Sequence, residues 1–273
     1  MYPEITFELF GNPIIIDAYP LFGCISIFTA LLISVFMLKR VDYKIRDILV
    51  IYLLSAIFFL IGARLLNCFV NFENYQKSGY NIFNLAFGHF SVYGGMIFAF
   101  VPPIIFNILR KKDIWIFADT ITIPYLVSFA IMRMGCFLNG CCYGKACSSW
   151  IAVPAPQSKV ELYDKLNKLL PILEVTPDKV YPTQLMEMGF VVIFIPVAFF
   201  LQKKYSGRGY AISLTIIYFS AFRLFVMFCR DLPYSDFVIN IFYPIFYITL
   251  ILTGILLFLI RLKKHCSKNS PKA

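Results

Sequence analysis

Ionisable side chains interrupt apolar stretches of this sequence at positions where an ordinary membrane helix would have none. Arg133, Glu187 and Arg223 lie within such stretches, and Arg64 and Arg230 lie near the ends of others. On insertion scales a charge at the bilayer centre costs roughly 2.5–3.5 kcal/mol, so each of these residues indicates an ion pair, a cavity or a site. The alternative for Arg64 and Arg230 is that their side chains extend to the lipid head groups.

Several arginines that converge at one depth would repel one another unless an anion lay between them. A phosphate suits them, because the guanidinium is a planar fork of donors that matches phosphate oxygens and stays charged in a dry site. Phospholipid head groups supply phosphates at the membrane. We therefore expect a phosphate site in which Arg133 and Arg223 take part.

The segment MRMGCFLNGCCYGK, residues 132–145, is the densest chemical signal in the chain. Asn139 and Tyr143 fall among Gly135, Gly140 and Gly144, so backbone can approach a ligand closely while side chains direct donors at it. We expect a helix end that turns into a loop. Such irregular backbone at membrane depth is tolerated only where it lines a cavity or is buried in protein. The alternative is an ordinary glycine-rich loop.

The composition requires that lipid surround much of this chain. Of its 273 residues 60% are hydrophobic and 15% charged, against roughly 25% charged in a soluble domain. The apolar residues form blocks about as long as the roughly 20 residues that a helix needs to cross a bilayer, and they are apolar on every face, which favours helices over a barrel. We predict an all-α polytopic membrane protein with seven transmembrane helices, at approximately 20–38, 48–69, 91–109, 114–132, 184–201, 210–228 and 238–260.

Basic residues follow alternate blocks. The clusters are Lys39, Arg40, Lys44 and Arg46; Arg110, Lys111 and Lys112; Lys203, Lys204 and Arg208; and Arg261, Lys263 and Lys264. Because short loops rich in Lys and Arg stay cytoplasmic, we predict that the N-terminus lies outside and the C-terminus in the cytoplasm, as seven spans also require. The net charge of +10 is thus explained by orientation in the membrane, and we expect no nucleic-acid partner.

The predicted organisation is a single transmembrane domain, residues 1–264, and a basic cytoplasmic tail, residues 265–273. The first block lacks a basic start, so it does not resemble a cleavable signal peptide. A polar insertion at about 146–180 faces outward, as do the loops at about 70–83 and 230–237. Within the insertion VELYDKLNKLL has apolar residues at helical spacing, which predicts a short helix outside the bilayer.

These segments together resemble the bacterial prolipoprotein diacylglyceryl transferases. The signature of that family has an arginine, a glycine, an asparagine and two later glycines at the spacing of Arg133, Gly135, Asn139, Gly140 and Gly144. Further similar segments follow in the family's order over nearly the whole chain: IDAYPLFG with Tyr19, LIGARLL with Arg64, FSVYGGMIFAF, ADTITIP, YPTQLMEMG and AFRLFVMFCRD. Seven spans with an outward N-terminus is also the topology of the family.

The resemblance implies a multi-pass enzyme of the bacterial plasma (inner) membrane. Such an enzyme transfers the diacylglyceryl group of phosphatidylglycerol to the lipobox cysteine of a prolipoprotein signal peptide, releases glycerol phosphate and needs no cofactor. A thiolate attacks the glyceryl carbon next to the phosphate, so the enzyme must stabilise charge on the departing phosphate and help the thiol to lose its proton.

The resemblance also implies roles for particular residues. The implied catalytic residues are Arg133, Arg223, Tyr93 and Glu187. The implied substrate-binding residues are Tyr19, Arg64, Gly94, Gly95, Asn139, Gly140, Gly144, Gln184 and Arg230.

Two departures from the family pattern affect these roles. Tyr93 stands where the family commonly has histidine before Gly-Gly, which removes the easiest proton acceptor at neutral pH. Tyr93, with an ordinary pKa near 10, would need neighbouring arginines to lower it, and His89 is the alternative base. Met227 stands where the family has glutamate, so Arg223 lacks one expected partner.

Cysteines are numerous, and Cys136, Cys141, Cys142 and Cys147 are expected near the outward face. Many family members have asparagine at the first of these positions and glutamate at the second. A zinc site normally shows two paired spacings, often with histidine, so we expect no metal ion here. The open alternatives are a disulfide in an oxidising exterior, and small side chains that pack where helices approach closely.

The sequence offers three alternatives to the transferase. A phospholipid-binding membrane protein of the same fold would keep the arginines and have lost or altered catalysis. A thiol-redox membrane protein would use the four outward cysteines. A transporter is disfavoured, because the sequence shows no internal symmetry and no paired broken helices.

Overall fold

Helices dominate this computed structural model, which describes residues 4–9, 12–70, 91–156, 179–231 and 236–269. They are α1 (Ala18–Lys39), α2 (Ile45–Val70), α3 (Val92–Ala99), α4 (Val101–Leu109), α5 (Ile114–Leu138), α6 (Thr183–Tyr205), α7 (Tyr210–Cys229) and, after a π-helical turn at Val238–Phe242, α8 (Tyr243–Asn269). Six helices in the described ranges are long and apolar enough to cross a membrane. A polytopic, mostly helical membrane protein is therefore confirmed.

The third predicted span differs from a single long helix. It consists of α3 and α4, which meet at Phe100, two residues before the pair Pro102 and Pro103. Proline has no N–H to donate, and its ring conflicts with the carbonyl four residues earlier, so an unbroken hydrogen-bond ladder is excluded here. A seventh crossing by α3 and α4 together stays a prediction.

Two short pairs of strands, which the sequence did not predict, lie before α1 and in the polar insertion. The strands β1 (Glu4–Leu9) and β2 (Asn12–Asp17) pair antiparallel just before α1. Further along the chain β3 (Val153–Pro154) pairs antiparallel with β4 (Lys179–Val180) and so joins the two ends of the polar insertion. The predicted helix VELYDKLNKLL lies outside the described residues.

Two compact units can be distinguished. The first contains Met1–Ile33 and Ala118–Ala273, and the second contains Ser34–Phe117. The single transmembrane domain and the basic tail stay predictions.

Close backbone contact joins α2 and α3 in the second unit. A Cβ atom added at Gly94 would collide with the carbonyl oxygen of Gly62, and one added at Gly95 would lie 2.6 Å from the Phe59 ring. Small residues are typical where membrane helices touch, because they let the backbones approach. Gly94 and Gly95 therefore have a packing role in this unit.

The first unit holds α6 against α7 through stacked aromatic rings. The ring centroids of Phe194 and Tyr218 lie 4.3 Å apart, and those of Phe190 and Phe222 lie 5.5 Å apart. At the start of α7 the buried carboxylate of Asp119 accepts hydrogen bonds from the backbone N–H groups of Gly209, at 2.9 Å, and Ile212, at 3.1 Å. An acidic group suits the N-terminus of a helix, so Asp119 fixes the position of α7.

Replacing Gly94 with alanine tests the packing of the second unit. We expect Gly94→Ala to lower the unfolding free energy in detergent by about 1–3 kcal/mol, because the new methyl group must push α2 and α3 apart. Gly23→Ala is the matched control, since nothing lies within 4 Å of a Cβ at that helical position. Equal effects of the two substitutions would contradict the close contact.

Candidate functional site

A buried carboxylate surrounded by arginines is the centre of the candidate site. Glu187 Oε2 lies 2.6 Å from Arg133 Nε, Glu187 Oε1 pairs with Arg223 Nη1, and Arg230 Nη1 lies 3.7 Å from the same Oε1. The carboxylate side chain is 2% exposed, and the arginine side chains are between 10% and 16% exposed. We call these four residues the arginine–glutamate cluster. The convergence predicted for the arginines is confirmed for three of them.

Three helices supply this cluster. Glu187 lies in the first turns of α6, Arg133 lies near the C-terminal end of α5, and Arg223 lies near the C-terminal end of α7. Arg230 is the first residue after α7, with an extended backbone, and its Nη1 lies 3.7 Å from the same carboxylate. The aromatic stacking of α6 on α7 keeps the carboxylate and Arg223 in register.

The charges of the arginine–glutamate cluster do not cancel. Three guanidinium groups face one carboxylate, which leaves an excess of two positive charges in a largely buried place. The Nε atom of Arg230 is buried and has no hydrogen-bond partner among the described residues, whereas Arg133 Nε lies 2.6 Å from Glu187 Oε2. Donors and charge thus remain for a second anion.

The loop after α5 is held by the start of α6. Thr183 Oγ1 donates to the carbonyl of Cys142, and Gln184 Nε2 donates to the carbonyl of Cys141, both at 2.6 Å. Gly140 and Cys142 adopt positive φ values of 69° and 63°, which turn the chain sharply after the helix. The predicted helix end that turns into a loop is confirmed, and the loop is fixed to the helix that carries Glu187.

Gly144 is a packing position within this loop. A Cβ there would collide with the carbonyl oxygen of Cys229 and lie 2.6 Å from Tyr181 Cβ. The N–H of Gly144 donates to the Tyr181 carbonyl at 2.9 Å, and the residue forms a β-bridge with Arg230. The glycine therefore lets the loop lie against the end of α7, and a contact with substrate stays a prediction.

Three cysteine thiols converge beside the arginine–glutamate cluster. The Sγ atoms of Cys136, Cys141 and Cys142 all lie within 4.8 Å of one another, and Arg133 Nη1 lies 3.9 Å from Cys136 Sγ. We call these three residues the thiol cluster. Cys147 is separate: its thiol contacts the hydroxyl of Ser149 at 2.9 Å.

The surroundings of the Cys142 thiol lower its pKa. Hydrogen bonds with the thiols of Cys136 and Cys141 hold the pKa of the Cys142 thiol below its ordinary value, and the charges of Arg230 and Arg133 act in the same direction. The sequence predicted four cysteines near the outward face but did not show which of them lie close together. The structure brings three of them together, and all eight cysteines are free thiols.

The other predicted site residues fall into two groups. Tyr19, at the start of α1, lies within electrostatic range of the thiol cluster and of Arg133, and Asn139 forms a side-chain hydrogen bond with the Cys141 thiol. The second unit contains the remaining group, Arg64, Tyr93, Gly94 and Gly95. His89 lies outside the described residues.

Two features of the site were missed by sequence reasoning. Glu187 is the partner of Arg223, so the methionine at position 227 does not leave that arginine without a carboxylate. Met227 is itself buried. Thr183 was not proposed at all, although its place directly before Gln184 in YPTQLMEMG was a signal that could have suggested it.

Comparison with known proteins identifies the family of this chain. A family model described as prolipoprotein diacylglyceryl transferase matches residues 4–260. The chain belongs to the prolipoprotein diacylglyceryl transferase family. The resemblance noted from the motifs is thereby confirmed.

The individual relatives share less than 30% sequence identity with this chain. The chain is 29% identical over 173 residues to the phosphatidylglycerol–prolipoprotein diacylglyceryl transferase of Buchnera aphidicola subsp. Acyrthosiphon pisum (strain Tuc7), and the match spans 60% of this chain and 60% of the length of that protein. It is 27% identical over 226 residues to the protein of the same name from Clostridioides difficile (strain 630), over 82% of this chain and 81% of that protein.

Removing the central carboxylate tests the cluster. We expect Glu187→Gln to lower the unfolding free energy by about 3–5 kcal/mol, because three partly buried guanidinium groups lose their only shared carboxylate in the described site. Denaturant unfolding of the purified protein in mixed micelles measures this. The control Asp17→Asn removes an exposed carboxylate and should change the unfolding free energy by less than about 0.5 kcal/mol. Wild-type stability of Glu187→Gln would refute the arrangement.

Proposed function

We propose that this protein transfers the diacylglyceryl group of phosphatidylglycerol to the lipobox cysteine thiol of prolipoproteins. Membership of the family supports this reaction, and so do relatives whose names state it. The observation that carries the proposal is the excess of two positive charges in the arginine–glutamate cluster. Among common membrane components, the phosphate of an anionic phospholipid suits such a site best.

The transfer creates charge where the cluster can stabilise it. As the sulfur–carbon bond forms, the bond between the glyceryl carbon and the phosphate oxygen breaks, and the electron pair stays on that oxygen. Fixed guanidinium groups in a site that excludes water stabilise such developing charge more than they stabilise the diester. Arg133 and Arg223 hold the phosphate, and Glu187 orients both of them.

The loop after α5 provides the other wall of the proposed site. Asn139 and Tyr19 lie with the thiol cluster at the same end of the first unit as Arg133. Gln184 is buried, and its Oε1 has no hydrogen-bond partner among the described residues while its Nε2 holds the loop. A glycerol hydroxyl of the lipid head group would satisfy that oxygen.

The proposed setting is the bacterial plasma membrane, crossed seven times with the N-terminus outside. The basic residues after alternate apolar blocks support this orientation, which places the arginine–glutamate cluster in the outer half of the bilayer. Prolipoprotein signal peptides with a lipobox cysteine are the proposed protein partners.

Truncating either central arginine should abolish most of the transfer. We expect Arg133→Ala and Arg223→Ala each to slow lipidation by about 100- to 1,000-fold, equivalent to roughly 3–4 kcal/mol, because a preorganised donor to the leaving phosphate is lost. Mass spectrometry of a lipobox peptide incubated with the protein and phosphatidylglycerol measures the product.

Arg46→Ala is the control, since that arginine is exposed near the start of α2. Near-normal lipidation by either cluster variant would refute the assigned roles. If wild-type protein bound phosphatidylglycerol but gave no lipidated peptide, a phospholipid-binding protein of the same fold would be the better description.

The orientation can be tested with cysteines already present. Three long helices, α6, α7 and α8, separate Cys147 from Cys266, so the two should lie on opposite sides of the membrane. In variants in which every other cysteine is replaced by serine and only one of the two is kept, an impermeant maleimide should label Cys147 in intact spheroplasts and Cys266 only after lysis. The reverse pattern would show the opposite orientation.

A further inference from the structure

The thiol cluster brings together three side chains of a type that binds metal ions. Zinc–sulfur bonds of about 2.3 Å in a tetrahedral arrangement place sulfur atoms about 3.8 Å apart. The three Sγ atoms already lie within 4.8 Å of one another, so small side-chain rotations would bring all three onto one ion. Soft thiolate ligands favour zinc over hard ions such as magnesium or calcium.

The backbone holds these thiols in place. Cys136 lies at the end of α5, and the N–H of Cys141 donates to its carbonyl at 3.1 Å. Thr183 and Gln184 hold the carbonyls of Cys142 and Cys141 from α6. Cys142 adopts a left-handed conformation that is unusual for a residue with a side chain and costs energy, and such strain is typical of functional positions.

Exposure differs among the three cysteines in a way that leaves room for another ligand. Cys136 is buried, whereas Cys141 and Cys142 are each partly exposed. Catalytic zinc sites have three protein ligands and an open fourth position, whereas structural sites are closed by four. Within the described residues, Cys147 does not supply the fourth ligand, since its thiol contacts Ser149.

We propose that Cys136, Cys141 and Cys142 bind a zinc ion through three thiolates, and that the open fourth position binds the thiol of the acceptor cysteine. This inference rests on the proposed function. It also accounts for the loss of the usual proton acceptor: Tyr93 stands where the family commonly has histidine, and metal coordination of the acceptor thiol would take over the role of that histidine.

The step balances without another reactant. A thiol that coordinates zinc loses its proton, which passes to water, and the metal holds the thiolate. The thiolate sulfur attacks the glyceryl carbon, the carbon–oxygen bond to phosphate breaks, and its electron pair leaves with glycerol phosphate. The product is a neutral thioether, a weaker ligand than the thiolate, so it leaves the open position.

The surrounding charges fit this site. Three thiolates and one zinc ion carry one excess negative charge, and the adjoining arginine–glutamate cluster carries two excess positive charges. Arg133 joins the two groups, since its Nε contacts Glu187 and its Nη1 lies 3.9 Å from Cys136 Sγ. The attacking sulfur and the departing phosphate would therefore both lie close to the Arg133 guanidinium.

Direct metal binding is the first part of the test. Wild-type protein, purified in detergent under reducing conditions, should bind one equivalent of zinc by elemental analysis. Each of Cys136→Ser, Cys141→Ser and Cys142→Ser should weaken zinc binding by about 100-fold or more, whereas Cys147→Ser should not change it. Absence of bound zinc in the wild type after titration, or equal binding by the triple variant, would overturn the proposal. So would a disulfide within the thiol cluster that persists in protein isolated from membranes.

Coordination of the acceptor thiol is the second part, and it does not require turnover. In protein loaded with cobalt(II), a lipobox peptide should shift the thiolate-to-cobalt charge-transfer bands, and the same peptide with serine in place of its cysteine should not. Identical spectra with both peptides would overturn the proposal even if lipidation were observed. A shift without lipidated product would support the thiol site while contradicting the proposed transfer, so the two failures can be told apart.

Discussion

The charge balance around Glu187 is the constraint on which the site depends. One carboxylate, almost fully buried, faces three guanidinium groups that come from α5, α7 and the residue after α7. Without the carboxylate the arginines would repel one another, and without the arginines the carboxylate would pay a large desolvation cost. Because the arginines outnumber it, the cluster is stable as a unit and still attracts an anion.

Several contacts in the first unit hold the elements that carry the arginines and the carboxylate in place. Stacked aromatic rings keep α6 against α7, and Asp119 fixes the beginning of α7 through two backbone hydrogen bonds. At the other end of α7, Gly144 lets the loop after α5 lie against the last residues of the helix. Each contact fixes one of the elements that carries an arginine or the carboxylate, so the guanidinium groups are held where a phosphate can meet them.

Sequence reasoning was strongest where the physical signal was local. Long apolar blocks predicted six of the described helices. Charged residues within the blocks predicted that Arg133 and Arg223 converge, because a charge buried in lipid requires a partner. The structure adds Arg230, for which the sequence also allowed an extension to the lipid head groups. Pro102 and Pro103 indicated the break between α3 and α4, but the apolar block was long enough to be predicted as a single helix. The short strands were missed because pairs of two to six residues give little periodic signal.

Contacts between distant residues could not be read from the sequence. The arginines predicted an anion, and the first anion turned out to be a side chain of the protein itself, Glu187. The convergence of Cys136, Cys141 and Cys142 depends on the positive φ values after α5, which spacing alone does not reveal. Similarly, the glycines that suggested close approach to a ligand serve in part to bring backbones together, as Gly94 and Gly144 do.

The excess positive charge of the arginine–glutamate cluster should bind the phosphate of a phospholipid. Native mass spectrometry of the protein released from detergent, with phosphatidylglycerol and diacylglycerol in competition, tests it most directly. The account predicts that wild-type protein retains phosphatidylglycerol, and that the variant carrying both Arg133→Ala and Arg223→Ala loses this preference. Equal retention of the two lipids by wild-type protein, or an unchanged preference in the double variant, would contradict it.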